Sequence, residues 1–154
     1  KRTVGVDRES GYRMALETAG VPVDPALVVY KEDPFGSSTE FGYATTKQML
    51  ARDPTITAVI TDTDKVALGV YRAAAEMNIG IPERLSVFAF SDDSVFAPEF
   101  SPPLTGVKLH AEQLGREAAG LLIEQCLTGR RAVKRVIVPT EIEIRGSCGP
   151  ARDA

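Results

Sequence analysis

At 154 residues, with 44% hydrophobic and 25% charged side chains, the chain has the size of one ordinary domain, able to bury about 70% of its unfolded surface. Its 18 Lys and Arg against 21 Asp and Glu leave a formal charge of −3, and one short basic stretch, "GRRAVKR", is poor equipment for gripping a phosphate backbone. Cys126 and Cys148 lie far apart without zinc or CxxC spacing, and no apolar run nears the roughly 20 residues that span a bilayer.

These totals predict a cytoplasmic chain that by itself binds neither DNA nor membrane. No charged-then-apolar signal segment opens it. It begins at Lys1 without an initiator methionine, which leaves room for a signal or another domain upstream.

In chain order, "RTVGV" (2–6) reads as a short buried strand. "RESGYRMALETAG" places Tyr12, Ala15, Leu16 and Ala19 on one helical face, with Gly20 as its stop. "ALVVY" (26–30) is a β-branched strand, and "KEDPFGSS" a polar loop carrying an isolated aromatic. Ser37 and Glu40 form a possible capping box opening the helix "TEFGYATTKQMLAR". "ITAVIT" (56–61) is a strong strand. Asp62 or Thr63 can cap the helix "DKVALGVYRAAAEM", in which Val66, Val70, Ala74 and Met77 share a face and Gly80 is the stop.

Strand "LSVFAF" (85–90), loop "SDDSVFAPEFS" and the extended "PPLTGVKL" follow. The two prolines of "SPPLTGV" (101–107) forbid helix and remove donors, so that segment must run between elements. Helix "AEQLGREAAGLLIEQCL" ends at Gly129. The chain closes with strand "KRVIV" (134–138) and the alternating "PTEIEIR" (139–145).

Alternating strands and helices joined by short loops predict an α/β fold, a parallel sheet flanked by helices, with ligands held beyond the carboxyl ends of the strands. Four strand ends then deliver Asp7 and Arg8, Glu32 to Phe35, Asp62 to Asp64, and Ser91 to Asp93. Carboxylates that accept two hydrogen bonds and an arginine that donates as a fork suit the vicinal hydroxyls of a sugar, and Phe35 could cover a pyranose face. Each has a plainer alternative. Asp62 and Thr63 fit a helix cap equally well, Arg8 can pair with Asp7 or Glu9, Phe35 can plug a gap between loop and helix, and Asp93 reads as solvated loop charge.

"TDTD" and "SDDS" could also hold Mg²⁺ through Asp62, Asp64 and Asp92. No nucleophile–base pair accompanies them, and no GxSxG, HExxH, GxGxxG or P-loop motif occurs. The lone His110 is a rim residue or surface decoration. The expectation is therefore a non-enzyme, with no catalytic residue, metal or cofactor.

The order of motifs resembles the effector-binding domain of the LacI/GalR family of transcription regulators. "RESGY" is similar to the family's arginine three residues before Gly-aromatic, and "FGYATTKQML" to its next helix. "TDTDKVALGV" resembles Asn-Asp-x-x-Ala-x-Gly-Val, and "IPERLSVFAFSDD" the run from Val-Pro to Gly-aromatic-Asp-Asp. "SPPLTGV" resembles Pro-Pro-Leu-Thr-Thr-Val, with Gly106 at the second threonine; "LGREAAGLL" and "EIEIRGS" match the helix and closing strand after it.

The resemblance implies a periplasmic-binding-protein-like fold of type I, two subdomains joined by three crossovers, with "SPPLTGV" as one crossover. Residues 1–108 would form most of the C-terminal subdomain, 109–138 a segment of the N-terminal one, and 139–154 the return and tail. The DNA-binding head, hinge helix and first half of the N-terminal subdomain have no counterpart here. The apolar side of the 111–128 helix (Leu114, Ala118, Leu121, Leu122) would pack on that missing sheet.

Carried over residue by residue, the effector contacts fall on Arg8, Thr63 and Asp64, with Phe35 as the covering aromatic. The gripping aspartate falls on Ser91 counting forward from "AF", or on Asp92 counting back from "PPLT". The implied partners are a small-molecule effector such as a sugar, a second copy in a homodimer, and DNA only through the absent head. A secreted sugar-binding protein of the same fold is the alternative.

Overall fold

The computed structural model describes residues 4–33, 35–90, 95–129 and 133–151. In chain order they form α1 (Val4–Thr18), a 3₁₀ turn (Pro25–Leu27), α2 (Ser38–Arg52), β1 (Ala58–Thr61) and α3 (Asp64–Glu76). Then come β2 (Ser86–Phe90), a second 3₁₀ turn (Ala97–Glu99), β3 (Thr105–Lys108), α4 (Ala111–Thr128) and β4 (Glu141–Glu143). The four strands make one sheet in the order β1-β2-β3-β4, the first three parallel and β4 antiparallel to β3.

The core follows from the helical and strand periods. Val66, Val70 and Ala74 are buried along α3, as their shared face predicts. Val70, with Ala67, joins the core of β2, whose alternation buries Val87 and Ala89 and leaves Ser86, Phe88 and Phe90 on the other face. Leu50, Leu85, Ala97 and Leu104 complete this core.

Helices α2 and α3 touch backbone to backbone. A Cβ at Gly42 would sit 2.2 Å from the Val66 carbonyl oxygen, and one at Gly69 2.1 Å from that of Thr39. Ser37 caps α2 by accepting from the Glu40 N–H. The Glu40 carboxylate does not complete a capping box; it pairs with Arg72 of α3 at 2.6 Å.

Several expected elements differ. Val4 to Val6 belong to α1 and not to a strand, and the rest of the 2–6 expectation lies outside the described residues. Residues 26–30 and 134–138 form no strand. A strand needs a neighbour to take its N–H and C=O groups; sheet pairing among the described residues involves only β1 to β4. Of the α1 face, Tyr12 and Leu16 are half-buried but Ala15 and Ala19 are exposed. The stop of α3 falls on Asn78, not Gly80: Asn78 takes φ 54°, and the Ile79 N–H returns to the Ala74 carbonyl at 2.8 Å. Gly20 and Gly129 take the left-handed conformation expected of helix stops.

The segment 101–107 is tied down along its length. The Tyr71 hydroxyl of α3 donates to the Pro102 carbonyl at 2.8 Å, and the Gly146 N–H to that of Pro103 at 3.0 Å. Arg145 donates to the Leu104 carbonyl at 2.6 Å. Beneath it, the fully buried Ser147 hydroxyl accepts from the Thr105 N–H and donates to the Val87 carbonyl, bridging β3 and β2. Loss of solvation pushes the Tyr71 hydroxyl up to about 12.

Candidate functional site

The carboxyl ends of β1 and β2 lie side by side, since Thr61 pairs with Ala89, and Asp62 and Phe90 are the next residues on each. Arg8 comes to this point from the second turn of α1, not from a strand end as its expected position implied. Its Nη1 donates to the Asp62 backbone carbonyl, and its guanidinium carbon stands 4.7 Å from the centroid of the Phe90 ring. One arginine thus joins three elements at the rim.

Thr63 adjoins Asp62 and caps α3, its hydroxyl accepting from the Val66 N–H at 3.4 Å. The cap reading of "TDTD" is therefore realised, and it does not empty the site: the hydroxyl gives its hydrogen to the Asp62 carboxylate at 3.5 Å and keeps a second lone pair with which to accept. Asp64 is the first residue of α3, where the positive end of the helix dipole favours a carboxylate. Both are half-buried.

The structure thus brings Arg8 to the stretch that holds Thr63 and Asp64. Phe35 is not joined to them by side-chain packing. It lies in a turn fixed by its N–H to Asp33, with its ring 98% exposed. Ser91 and Asp92 lie outside the described residues.

Phe90 escaped the sequence reading because "LSVFAF" was read only as a strand, without regard to its faces. Its alternation was the available signal: Val87 and Ala89 face the core, which sends Phe88 and Phe90 to the opposite side. Among the described residues no cluster of three or more His, Cys, Asp or Glu side chains is placed to hold a metal. His110 stands at the β3–α4 junction, just past the carboxyl end of β3, which lies beside that of β2 since Phe90 pairs with Val107; its Nε2 is 3.6 Å from a Glu141 carboxylate oxygen.

A profile of the periplasmic binding protein-like domain matches residues 1–148. The chain is 38% identical over 108 residues to a lactose operon repressor of Rhizobium radiobacter, covering 70% of this chain and 94% of that one. It is 33% identical over 143 residues to the transcriptional regulator CelR of Thermobifida fusca, covering 93% of this chain. The chain belongs to the periplasmic-binding-protein-like domains of LacI-type transcriptional regulators. The fold agrees with other LacI-type structures. A CelR–cellobiose complex superimposes with a TM-score of 0.80 at 33% identity, covering 93% of this chain and 42% of that one. An Enterococcus faecium LacI family regulator with bound ribose gives 0.79 at 26% identity, covering 94% and 52%. The LacI-type chain here spans 41% of the length of the CelR relative, and no helix among its described residues is long and apolar enough to cross a membrane.

Proposed function

We propose that this chain senses a sugar or similar polyol for a transcription regulator, holding it beyond the carboxyl ends of β1 and β2. One observation carries the reading: α1 delivers Arg8 to the point where β1 and β2 end, beside the Thr63–Asp64 helix start. Strand ends of a parallel sheet are where such folds take ligands. A guanidinium fork with a carboxylate and a hydroxyl matches adjacent ring hydroxyls. Arg8, Thr63 and Asp64 are the proposed contacts, with Ser91 or Asp92 as a further acceptor and Phe35 as a cover.

The subdomain division at 108 and 138, a homodimer, a cytoplasmic setting and the absence of catalysis complete the proposal. DNA would be met only through a head outside this chain. Ligand controls DNA binding in this scheme only if its affinity differs between the DNA-bound and free states. Similarity to regulators favours this reading over a secreted sugar-binding protein.

Cellobiose and ribose, the ligands of the two neighbouring structures, are the first probes. Titrated into the protein made from the full reading frame containing this chain, one of them or a sugar from a wider panel should raise the melting temperature. Arg8→Ala should abolish that rise while leaving the unliganded melting temperature within a few degrees. A rise that survives Arg8→Ala at the same sugar concentration would overturn the assignment.

A further inference from the structure

We infer that Phe90 is the positioning residue for Arg8, and that through Arg8 it sets how tightly the site holds vicinal hydroxyls; only this second half rests on the effector-binding reading above. The guanidinium carbon lies 4.7 Å from the Phe90 ring centroid, within the roughly 6 Å over which a cation is attracted to a ring face. All five guanidinium donors lie in the plane of the group. The ring offers no hydrogen-bond acceptor, so its attraction holds the cation at the end of β2 and occupies no donor.

The bond from Nη1 to the Asp62 carbonyl fixes rotation within the same plane. The two restraints are complementary, one from the end of β2 and one from the end of β1. Together they hold a long, rotamer-rich side chain in one attitude before ligand arrives, which lowers the ordering cost of binding.

Phe90 is itself braced. The strand period places Phe88 on the same face of β2, and the two rings meet edge to face at 6.1 Å and 88°. Behind them Val87 and Ala89 are fully buried in the core. The ring that orients Arg8 is thus mounted on an inner strand of the sheet, one whose other face is fully buried.

The test has a ligand-free arm. In the labelled 154-residue chain, Arg8 side-chain resonances, assigned by their loss in Arg8→Lys, should carry an upfield ring-current displacement. Phe90→Tyr should keep it and Phe90→Leu should remove it. Phe88→Leu, on the same face, should leave Arg8 displaced. Unchanged Arg8 resonances in a folded Phe90→Leu chain would overturn the inference, and Phe90→Met serves if the leucine variant does not fold.

The ligand arm titrates cellobiose and ribose into the protein from the full reading frame. Phe90→Leu should weaken whichever binds by about fivefold, with Phe90→Tyr within twofold of wild type. Equal affinity in Phe90→Leu would overturn the second half. If neither these nor any sugar of the wider panel binds the wild type, the effector reading loses its support, while the Arg8 resonances still decide what Phe90 does.

Discussion

Ser147 shows how much one buried hydroxyl can hold. It accepts from Thr105 at 2.8 Å and donates to Val87 at 2.6 Å, with no exposed surface. Ser147→Ala leaves a buried N–H and a buried carbonyl without that partner, which costs about 1–3 kcal/mol. Urea unfolding should show the loss as a lower midpoint at unchanged slope; an unshifted midpoint would mean water replaces the hydroxyl. Tyr71, on the same crossover, makes a pH prediction. Burial raises its ionisation to about 12, so the unfolded chain, with an ordinary tyrosine near 10, loses its proton first. Its contribution is complete below about pH 10 and falls away as pH rises to about 12. Because the ring is only half-buried, the effect is modest. The melting temperature of Tyr71→Phe should fall less than that of wild type between pH 10 and 12, and parallel falls would contradict it.

At the scale of elements, legibility tracked how self-sufficient each element is. Segments 38–52 and 64–76 carry their own caps and, for the second, a full apolar face, so their helices were readable from residues alone. Segments 58–61 and 86–90 were readable because a helical crossover between two apolar runs predicts parallel neighbours. Segments 26–30 and 134–138 have the side chains of strands without a neighbour to pair with among the described residues, and composition carries no record of the neighbour. Arg8 was readable as a rim residue, but its route through α1 was not, since nothing in "VGVDRESGY" distinguishes a strand and loop from one continuous helix. The α2–α3 contact was invisible for another reason: Gly42 and Gly69 look ordinary until two backbones close on them. Gly69→Ala must push against the Thr39 carbonyl and the Tyr43 amide, neither of them a side chain that can swing away. The expected cost is about 1–3 kcal/mol or more, seen as a lower melting temperature. A neutral Gly69→Ala would mean that the helices part without penalty.

Across the whole molecule, burial is concentrated in one block and sparse outside it. The buried side chains lie on α2, α3, the sheet, the turns beside it and the tail that includes Ser147, whereas α4 buries none of its 18 residues. Leu122, Ile123 and Leu127 of α4 are exposed, Leu127 to 82%, as are Ile142 and Ile144 at the closing strand. Apolar surface left in water adds nothing to stability, so opening α4 exposes little that is not already solvated. Opening β2 breaches the core and approaches global unfolding. Hydrogen exchange on the 154-residue chain should therefore be slowest at Val87, Ala89 and the middle of α3, and faster by orders of magnitude along α4. Exchange of α4 amides as slow as those of β2 would mean that in solution its apolar side is covered. Dilution would then locate the cover: protection that vanishes at low concentration comes from another molecule, and protection that persists comes from the chain itself.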